Sequence, residues 1–288
     1  MDEHPLAQYV EQWHPEPTER QAVIDAETAQ QLGDILDFAP PSDDVLPPLW
    51  QWGYFHSWPR LPGLGADGHP VEDAFQPPIP NRRRMWAGGS VQVRRPLRIG
   101  RPATCRGELV SAVPKSGRTG AMILATVRYE YAQDDQSCVI EEQNHVYRGA
   151  EDGPRPDWGA RPEALPSSDA PWQHAIVTDS IRLFRMSALT ANSHRIHYDR
   201  PYARDVEGYV DLVVHGPLLA MQLGVLATRF EPSQQLTRFD YRVQAPVFVG
   251  EPVLAAGGPA SDATELAVLS GDGRVHVAAT AAYAATAS

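Results

Sequence analysis

Between Ser187 and Phe230 the chain reads SALTANSHRIHYDRPYARDVEGYVDLVVHGPLLAMQLGVLATRF. Two parts of this stretch set the expectations for the rest. Asn192 to Asp199 gathers Asn192, His194, Arg195, His197, Tyr198 and Asp199. Gly216-Pro217 then opens a run that is apolar on nearly every side. Proline suits the first helical turn, where its missing N–H would have no partner anyway. A helix that is apolar all round has to be buried. The stretch therefore reads as a cluster of proton-transfer groups, a short loop, and a buried helix whose free N–H groups can receive partial negative charge.

Working outward, the 288 residues allow one large domain or two of ordinary size. Hydrophobic residues make up 42% and charged residues 21%, enough for a core and against global disorder. A formal charge of −11 opposes nucleic-acid binding, which needs a basic surface. A local basic patch remains possible, and Asn81-Arg82-Arg83-Arg84 is the candidate for a phosphorylated ligand. Cys105 and Cys138 form no metal-binding spacing and read as free buried thiols. The acidic Met1-Asp2-Glu3-His4-Pro5 start does not resemble a signal peptide, and no apolar span of ~18 residues is present. The expectation is a cytoplasmic protein with no membrane and no nucleic-acid partner.

Residues 1–20, polar and rich in Pro and Glu, read as an arm. Ala22 to Phe38 reads as a modest helix with Asp25 as N-cap, stopped by Pro40-Pro41. Pro47-Pro48 opens a second helix candidate over Leu49–Phe55. Residues 59–83 are Pro- and Gly-rich without periodicity, a long loop of the kind that is usually functional. From Met85 the period becomes two. Strands are expected at Ser90–Arg95, Ala103–Val113, Ala121–Tyr131 and Cys138–Tyr147, with turns at 116–120 and at Asp134-Asp135. Residues 149–173 read as a Pro-rich linker. Further strands are expected at Ala175–Leu183, Leu236–Ala245, Val253–Gly257, Glu265–Ser270 and Arg274–Tyr283, with a hairpin turn at Gly271-Asp272-Gly273.

The two halves share a phrase. Pro96-Leu97-Arg98-Ile99-Gly100-Arg101-Pro102 parallels Pro246-Val247-Phe248-Val249-Gly250-Glu251-Pro252. Each is preceded by one alternating strand and followed by three, and each strand set follows a Pro-opened helix candidate, at Pro48 and at Pro217. That order suggests a duplication. A helix wrapped by an antiparallel sheet is an α+β architecture, here occurring twice. The division predicted is 1–148, a linker at 149–173, and 174–288.

A helix cradled in an antiparallel sheet, repeated twice, resembles a double hotdog. Within it, Ser187 to Asp199 resembles the hydratase motif of MaoC-like (R)-specific enoyl-thioester hydratases, and Val213-Val214-His215-Gly216-Pro217 resembles the step that opens the hotdog helix in that family. The nearest branch in character is the hydroxyacyl-thioester dehydratase type 2 and mesaconyl-CoA hydratase group. Met85-Trp86-Ala87-Gly88-Gly89 is similar, less specifically, to the N-terminal hotdog of that branch. The motif places an acidic residue five before a histidine; here those positions are Asn192 and His197.

The resemblance implies a hydro-lyase that reversibly hydrates an enoyl-CoA, favouring a short branched dicarboxylic acyl group of the mesaconyl or itaconyl kind. Dehydration of (3R)-hydroxyacyl thioesters, thioester hydrolysis, and non-catalytic acyl-thioester binding are the alternatives. Hydration needs a base for water, a proton for the α-carbon, and a donor for the thioester oxygen. His197 is the candidate acid–base group. Asn192 cannot be a base near neutrality and would hold water, or cap a helix. The Gly216 N–H is the oxyanion candidate, and Gly216 also suits the turn into Pro217. His215 would orient the loop or the substrate. Arg195 would bind a substrate carboxylate or pair with Asp199 or Asp205. Trp50, Trp52, Trp58 and Trp86 are candidates for an acyl-pocket wall. The resemblance implies an acyl-CoA or acyl-carrier-protein substrate. With no esterase elbow, dinucleotide fingerprint or P-loop in the sequence, no metal and no redox cofactor are expected, and the lack of an Asn-x₄-His pair in the N-terminal half predicts one site per double hotdog. Pairing of sheet edges makes a homodimer plausible.

Overall fold

Alternating apolar residues over most of 83–148 and 236–283 form long antiparallel strands. The computed structural model describes residues 4–39, 44–117, 120–149, 158–159, 161–261 and 263–284. The N-terminal elements are β1 (Thr18–Val23), α1 (Ala26–Leu36), β2 (Arg83–Val93), β3 (Pro102–Gly117), β4 (Gly120–Gln133) and β5 (Gln136–Arg148). The C-terminal elements are β6 (Trp172–Ile176), α2 (Ser180–Leu189), α3 (Gly216–Phe230), β7 (Leu236–Val243), β8 (Val253–Pro259), β9 (Thr264–Ser270) and β10 (Val275–Tyr283).

The strands join in one sheet with the order β1-β3-β4-β5-β2-β7-β10-β9-β8-β6. Read from either edge towards the centre, the two five-strand sets follow the same connectivity. Both repeated Pro/Gly phrases lead directly into the third strand of their set, β3 or β8. The sets meet where β2 pairs antiparallel with β7, with Gly89 opposite Tyr241 and Val91 opposite Phe239. This is a double hotdog.

The helix α3 is the core of the C-terminal set. Every residue from Leu218 to Ala227 is buried, and the helix packs on α1, on β6 and on β7 to β10. Each buried Leu or Met in it contributes roughly 1.5–3 kcal/mol, which is why so apolar a helix is stable only inside a sheet. At Gly224 an added Cβ would stand 3.0 Å from Leu49, so the N-terminal chain also approaches this helix closely.

Several expectations are corrected. Residues 18–23, read as the end of an arm and the start of a helix, form β1, paired with Pro102–Gly107. The helix behind them is real and begins after Asp25, whose carboxylate accepts the Thr28 N–H at 2.8 Å. It closes at Asp37, in the left-handed region at φ 53°. The second helix, expected over Leu49–Phe55, is only a 3-10 turn at Trp50–Gly53. Leu49 and Phe55 at its ends have positive φ, 73° and 60°, which no continuous helix accommodates.

Ala175–Leu183 is not one strand. β6 ends at Ile176, and Asp179 then caps α2 by accepting the Arg182 N–H at 2.8 Å. The alternating apolar letters of this segment hid a helix start. Pro40, Pro41 and the tip of the 116–120 turn (118–119) lie outside the described residues, as do Met1 to Glu3 and 150–157 and 160 of the expected linker. The described part of that linker packs on the C-terminal set, with Trp158 stacked on Tyr209 at 5.4 Å. Cys105 and Cys138 are buried and free. No helix among the described residues is long and apolar enough to cross a membrane.

Candidate active site

The site assembles where α2 ends. Asn192 N–H donates back to the Ser187 carbonyl at 2.9 Å, and Ala191 takes φ 49°, so the chain reverses sharply. The Asn192 Oδ1 then accepts the His194 N–H at 3.1 Å, an Asx turn that aims the next residues inward. A single 3-10 turn, Arg195–His197, buries His197.

The His197 Nδ1 lies 2.7 Å from the Val213 carbonyl. A carbonyl only accepts, so Nδ1 carries the proton and Nε2 keeps its lone pair. The Val213 N–H returns the contact to the Ile196 carbonyl at 3.0 Å, fixing the two segments to each other. His215 stacks on His197 at 3.6 Å, with the planes 17° apart, and its Nε2 meets the Ser187 hydroxyl at 2.9 Å. Burial holds His197 down from 6.5 to about 3, with nearby His194 adding to the effect. Burial and His197 hold His215 well below its ordinary value. Both rings are therefore neutral at physiological pH.

Gly216 follows His215 and is the first residue of α3. Its amide is among the donors that a helix start leaves unpaired, at the positive end of the helix dipole. An added Cβ there would lie 3.2 Å from the Trp86 ring, so β2 approaches the helix start from the other half. Trp86 packs on Tyr241 at 5.0 Å and on Trp52 at 5.0 Å. Among the described residues, the buried Trp86 Nε1, Tyr241 hydroxyl and His215 Nδ1 have no protein hydrogen-bond partner. Three such groups around one helix start mark a place built for a polar guest.

The long 59–83 loop closes the site from outside. Gly68, at φ +90°, sits so close to the Ser193 carbonyl that a Cβ would be 1.9 Å from its oxygen. The Ser193 hydroxyl donates to the Gly68 carbonyl, and the Arg195 N–H donates to the Asp67 carbonyl at 2.8 Å. His69 packs on His194 with ring centres 4.1 Å apart and contacts the Asp67 carboxylate at 3.0 Å. The Asp67 carboxylate is drawn down to about 2 by its hydrogen bonds to His69, against the opposing effect of burial. Burial, reinforced by His69, takes His194 to about 3. The ligand atoms of Asp67, His69 and His194 lie within 4.8 Å of one another, close enough to surround a metal ion.

The structure thus brings His197, His215 and Gly216 together at the start of α3, and Asn192 is joined to them through its backbone bond to Ser187, whose hydroxyl meets His215. Arg195 is occupied elsewhere. Its Nε and Nη2 bind the Asp199 carboxylate at 3.0 and 2.7 Å, its Nη1 binds the Ala66 carbonyl at 2.9 Å, and its guanidinium lies over Tyr202. Of the two readings open for it in the sequence, the pairing with Asp199 is the one observed.

The basic run diverges. Arg82 binds Gln76, Arg83 approaches Glu207 at 3.9 Å, and Arg84 reaches His145. Trp52 and Trp86 belong to the site wall. Trp50 is core, and Trp58 is 81% exposed. What the sequence did not single out is the trio Asp67, His69 and Ser187; the only signal for the first two was an aperiodic loop too long to be idle.

Comparison with known proteins agrees with this geometry. The sequence profile of hydroxyacyl-thioester dehydratase type 2 matches residues 49–249. A mesaconyl-C(4)-CoA hydratase of Chloroflexus aurantiacus is 45% identical over 244 residues, covering 84% of this chain and 85% of that one. A mitochondrial hydroxyacyl-thioester dehydratase type 2 of Schizosaccharomyces pombe is 27% identical over 220 residues, covering 66% of this chain and 70% of that one. A MaoC-like dehydratase of Phytophthora capsici superposes with a TM-score of 0.67 at 14% identity, over 98% of this chain and 99% of that one. A Mycobacterium tuberculosis protein described as a double hotdog gives 0.57 at 13% identity, over 94% and 96%. The chain belongs to the hydroxyacyl-thioester dehydratase type 2 family, with the double hotdog fold and the hydro-lyase chemistry that go with it.

Proposed function

We propose that this protein reversibly hydrates the CoA thioester of a short, branched, unsaturated dicarboxylic acid, and that His197, Asn192 and Gly216 carry the reaction. The observation that carries the proposal is the fixed tautomer of His197, which leaves a neutral, buried Nε2 lone pair beside the opening turn of α3.

The thioester oxygen accepts the Gly216 N–H. As water adds to the β-carbon, its oxygen forms the new C–O bond and one of its protons passes to His197 Nε2. Electrons from the double bond move onto the thioester oxygen, where the helix start holds the enolate. The imidazolium then returns its proton to the α-carbon as the enolate collapses. A histidine held near pKa 3 by a dry site takes up a proton only while negative charge sits a few ångströms away, so charge separation is transient. Asn192, its Oδ1 pinned by the His194 N–H, keeps a second lone pair and its NH₂ for orienting the water. Ser187 and His215 support His197 from behind.

The acyl group is the finer part of the proposal. Its support is the identity to the C. aurantiacus mesaconyl-C(4)-CoA hydratase. The S. pombe relative supports the second reading, dehydration of linear 3-hydroxyacyl thioesters. A panel of enoyl-CoAs, followed by loss of enoyl-thioester absorbance, decides between them. The expected result is a higher kcat/KM for the dicarboxylic half-thioester than for any linear acyl chain. Preference for long linear chains would overturn it, and thiol release without hydration would point to hydrolysis.

A further inference from the structure

A chain of polar side chains crosses the N-terminal set opposite the histidines. On β5, Glu141, Gln143, His145 and Tyr147 alternate along one face. Glu141 is fully buried and accepts from Gln51, Trp52, Tyr131 and Gln143, at 3.3, 2.7, 3.1 and 2.6 Å. Because the Gln143 NH₂ donates to that carboxylate, its Oε1 faces the other way, 3.3 Å from His145 Nε2. The imidazole must donate there, which leaves its Nδ1 to accept, and the Arg84 Nε–H fills that role at 3.4 Å. His145 is thereby neutral, since an imidazolium would have no lone pair for Arg84. Its burial, and the charge of Arg84 beside it, act in the same direction.

The Arg84 guanidinium is thus aimed by a directional relay, yet among the described residues it has no anionic partner. Among the described residues no carboxylate lies within 4 Å of it. Asp73 is near enough to be felt electrostatically, together with Tyr129 and Tyr147, but its Oδ1 accepts the Phe75 N–H. Arg84 stands two residues before Trp86, on the same face of β2 and so about 7 Å along the strand. Trp86 is the residue that touches the Gly216 position. From the other side, the Arg84 charge reaches His194. Arg84 therefore borders the space between β2, the helix start and the histidines.

We infer that Arg84 is the receptor for a free carboxylate on the acyl group, and so the residue that selects dicarboxylic over simple enoyl thioesters. This rests on the hydratase reading above and adds the group that sets its specificity. With Nε committed to His145, the two Nη groups offer a parallel pair of donors, the geometry a carboxylate accepts bidentately. A dicarboxylic half-thioester brings a charge that is costly to bury unpaired, and Arg84 neutralises it. A neutral acyl group would leave the partly buried Arg84 unanswered, so selectivity comes from both sides.

The test compares a dicarboxylic half-thioester, mesaconyl-CoA, with crotonyl-CoA, which has no second carboxylate. For Arg84→Gln the ratio of the two kcat/KM values is expected to fall by about 10²-fold, the scale of losing one partner of a buried charge pair. Arg84→Lys should restore part of the ratio through KM. An unchanged ratio in Arg84→Gln overturns the proposal. Should the variants fail to fold, wild-type protein still decides. Succinyl-CoA, saturated and unreactive to hydration, should compete at least about 10-fold better than butyryl-CoA, whereas equal inhibition overturns the inference. Wild-type protein that hydrates crotonyl-CoA but not the dicarboxylic thioester removes the Arg84 role and leaves the hydratase reading standing. Hydration of neither removes both.

Discussion

The two halves share their strand order and differ in what they wrap. The C-terminal set encloses α3, fifteen residues long, and its opening turn faces His197 and His215. In the corresponding place, between α1 and β2, the N-terminal half has a four-residue 3-10 turn followed by the 59–83 loop. One half retains the helix and its N-terminal donors. The other has exchanged a helix for a loop that reaches across to dock on Ser193 and Arg195, and for a wall of Trp52, Trp86 and Arg84. On the proposed mechanism the two halves divide the labour: one holds the reacting atoms, and the other shapes and closes the space around them.

This division can be attacked from either side, and the largest effect belongs to the C-terminal half. His197→Ala should lower kcat by about 10³-fold while leaving circular dichroism unchanged, within the range for a lost general acid–base. Retained turnover would mean that the N-terminal half, with His69, supplies the proton. Next comes the docked loop. Gly68→Ala places a Cβ against the Ser193 carbonyl at a positive φ and should cost about 10²-fold in kcat/KM, as the displaced loop shifts the catalytic turn. Limited proteolysis within 59–83 should become faster in the same variant. Wild-type kinetics there would make the loop a bystander.

Asn192→Ala should cost less, about 10-fold in kcat, because the water keeps His197 but loses its second holder. The mildest effect is on stability. His194 and His197 are held from 6.5 to about 3 when folded, so the unfolded chain binds more protons between those values. Their contribution is complete above about pH 6.5 and is lost as pH falls towards 3. Urea midpoints should therefore drop progressively on acidification, and the drop should be smaller in His194→Gln than in wild type.

The sequence disclosed what local pattern controls. Period-two strands, the doubled Pro/Gly phrase, the Asp25 cap and the Gly216-Pro217 helix start all depend on neighbours within a few residues, and the structure has them. The failures were of two kinds. Leu49 to Phe55 carries apolar letters in helical number, but positive φ at both ends lets tertiary packing override the pattern. At the site, His197 and His215 were legible through their resemblance to the hydratase motif and to the step that opens the hotdog helix. Asp67, His69 and Arg84 come from another half of the chain, and their proximity is created only by the sheet order and by Gly68. Arg195 illustrates the opposite error: a charge beside the motif that looked available to a ligand is occupied by Asp199 and the loop carbonyl.

One feature of the sheet bears on how the enzyme works in time. Gly88 to Gln92 of β2 are laddered to Arg238 to Arg242 of β7. The strand that carries Trp86 and Arg84 is thereby laced by backbone bonds to the sheet around the catalytic helix. The two walls cannot part like the halves of a hinge without unzipping that seam. The width of the cleft is set when the chain folds, and substrates should enter and leave past the 59–83 loop, with the seam intact through every turnover.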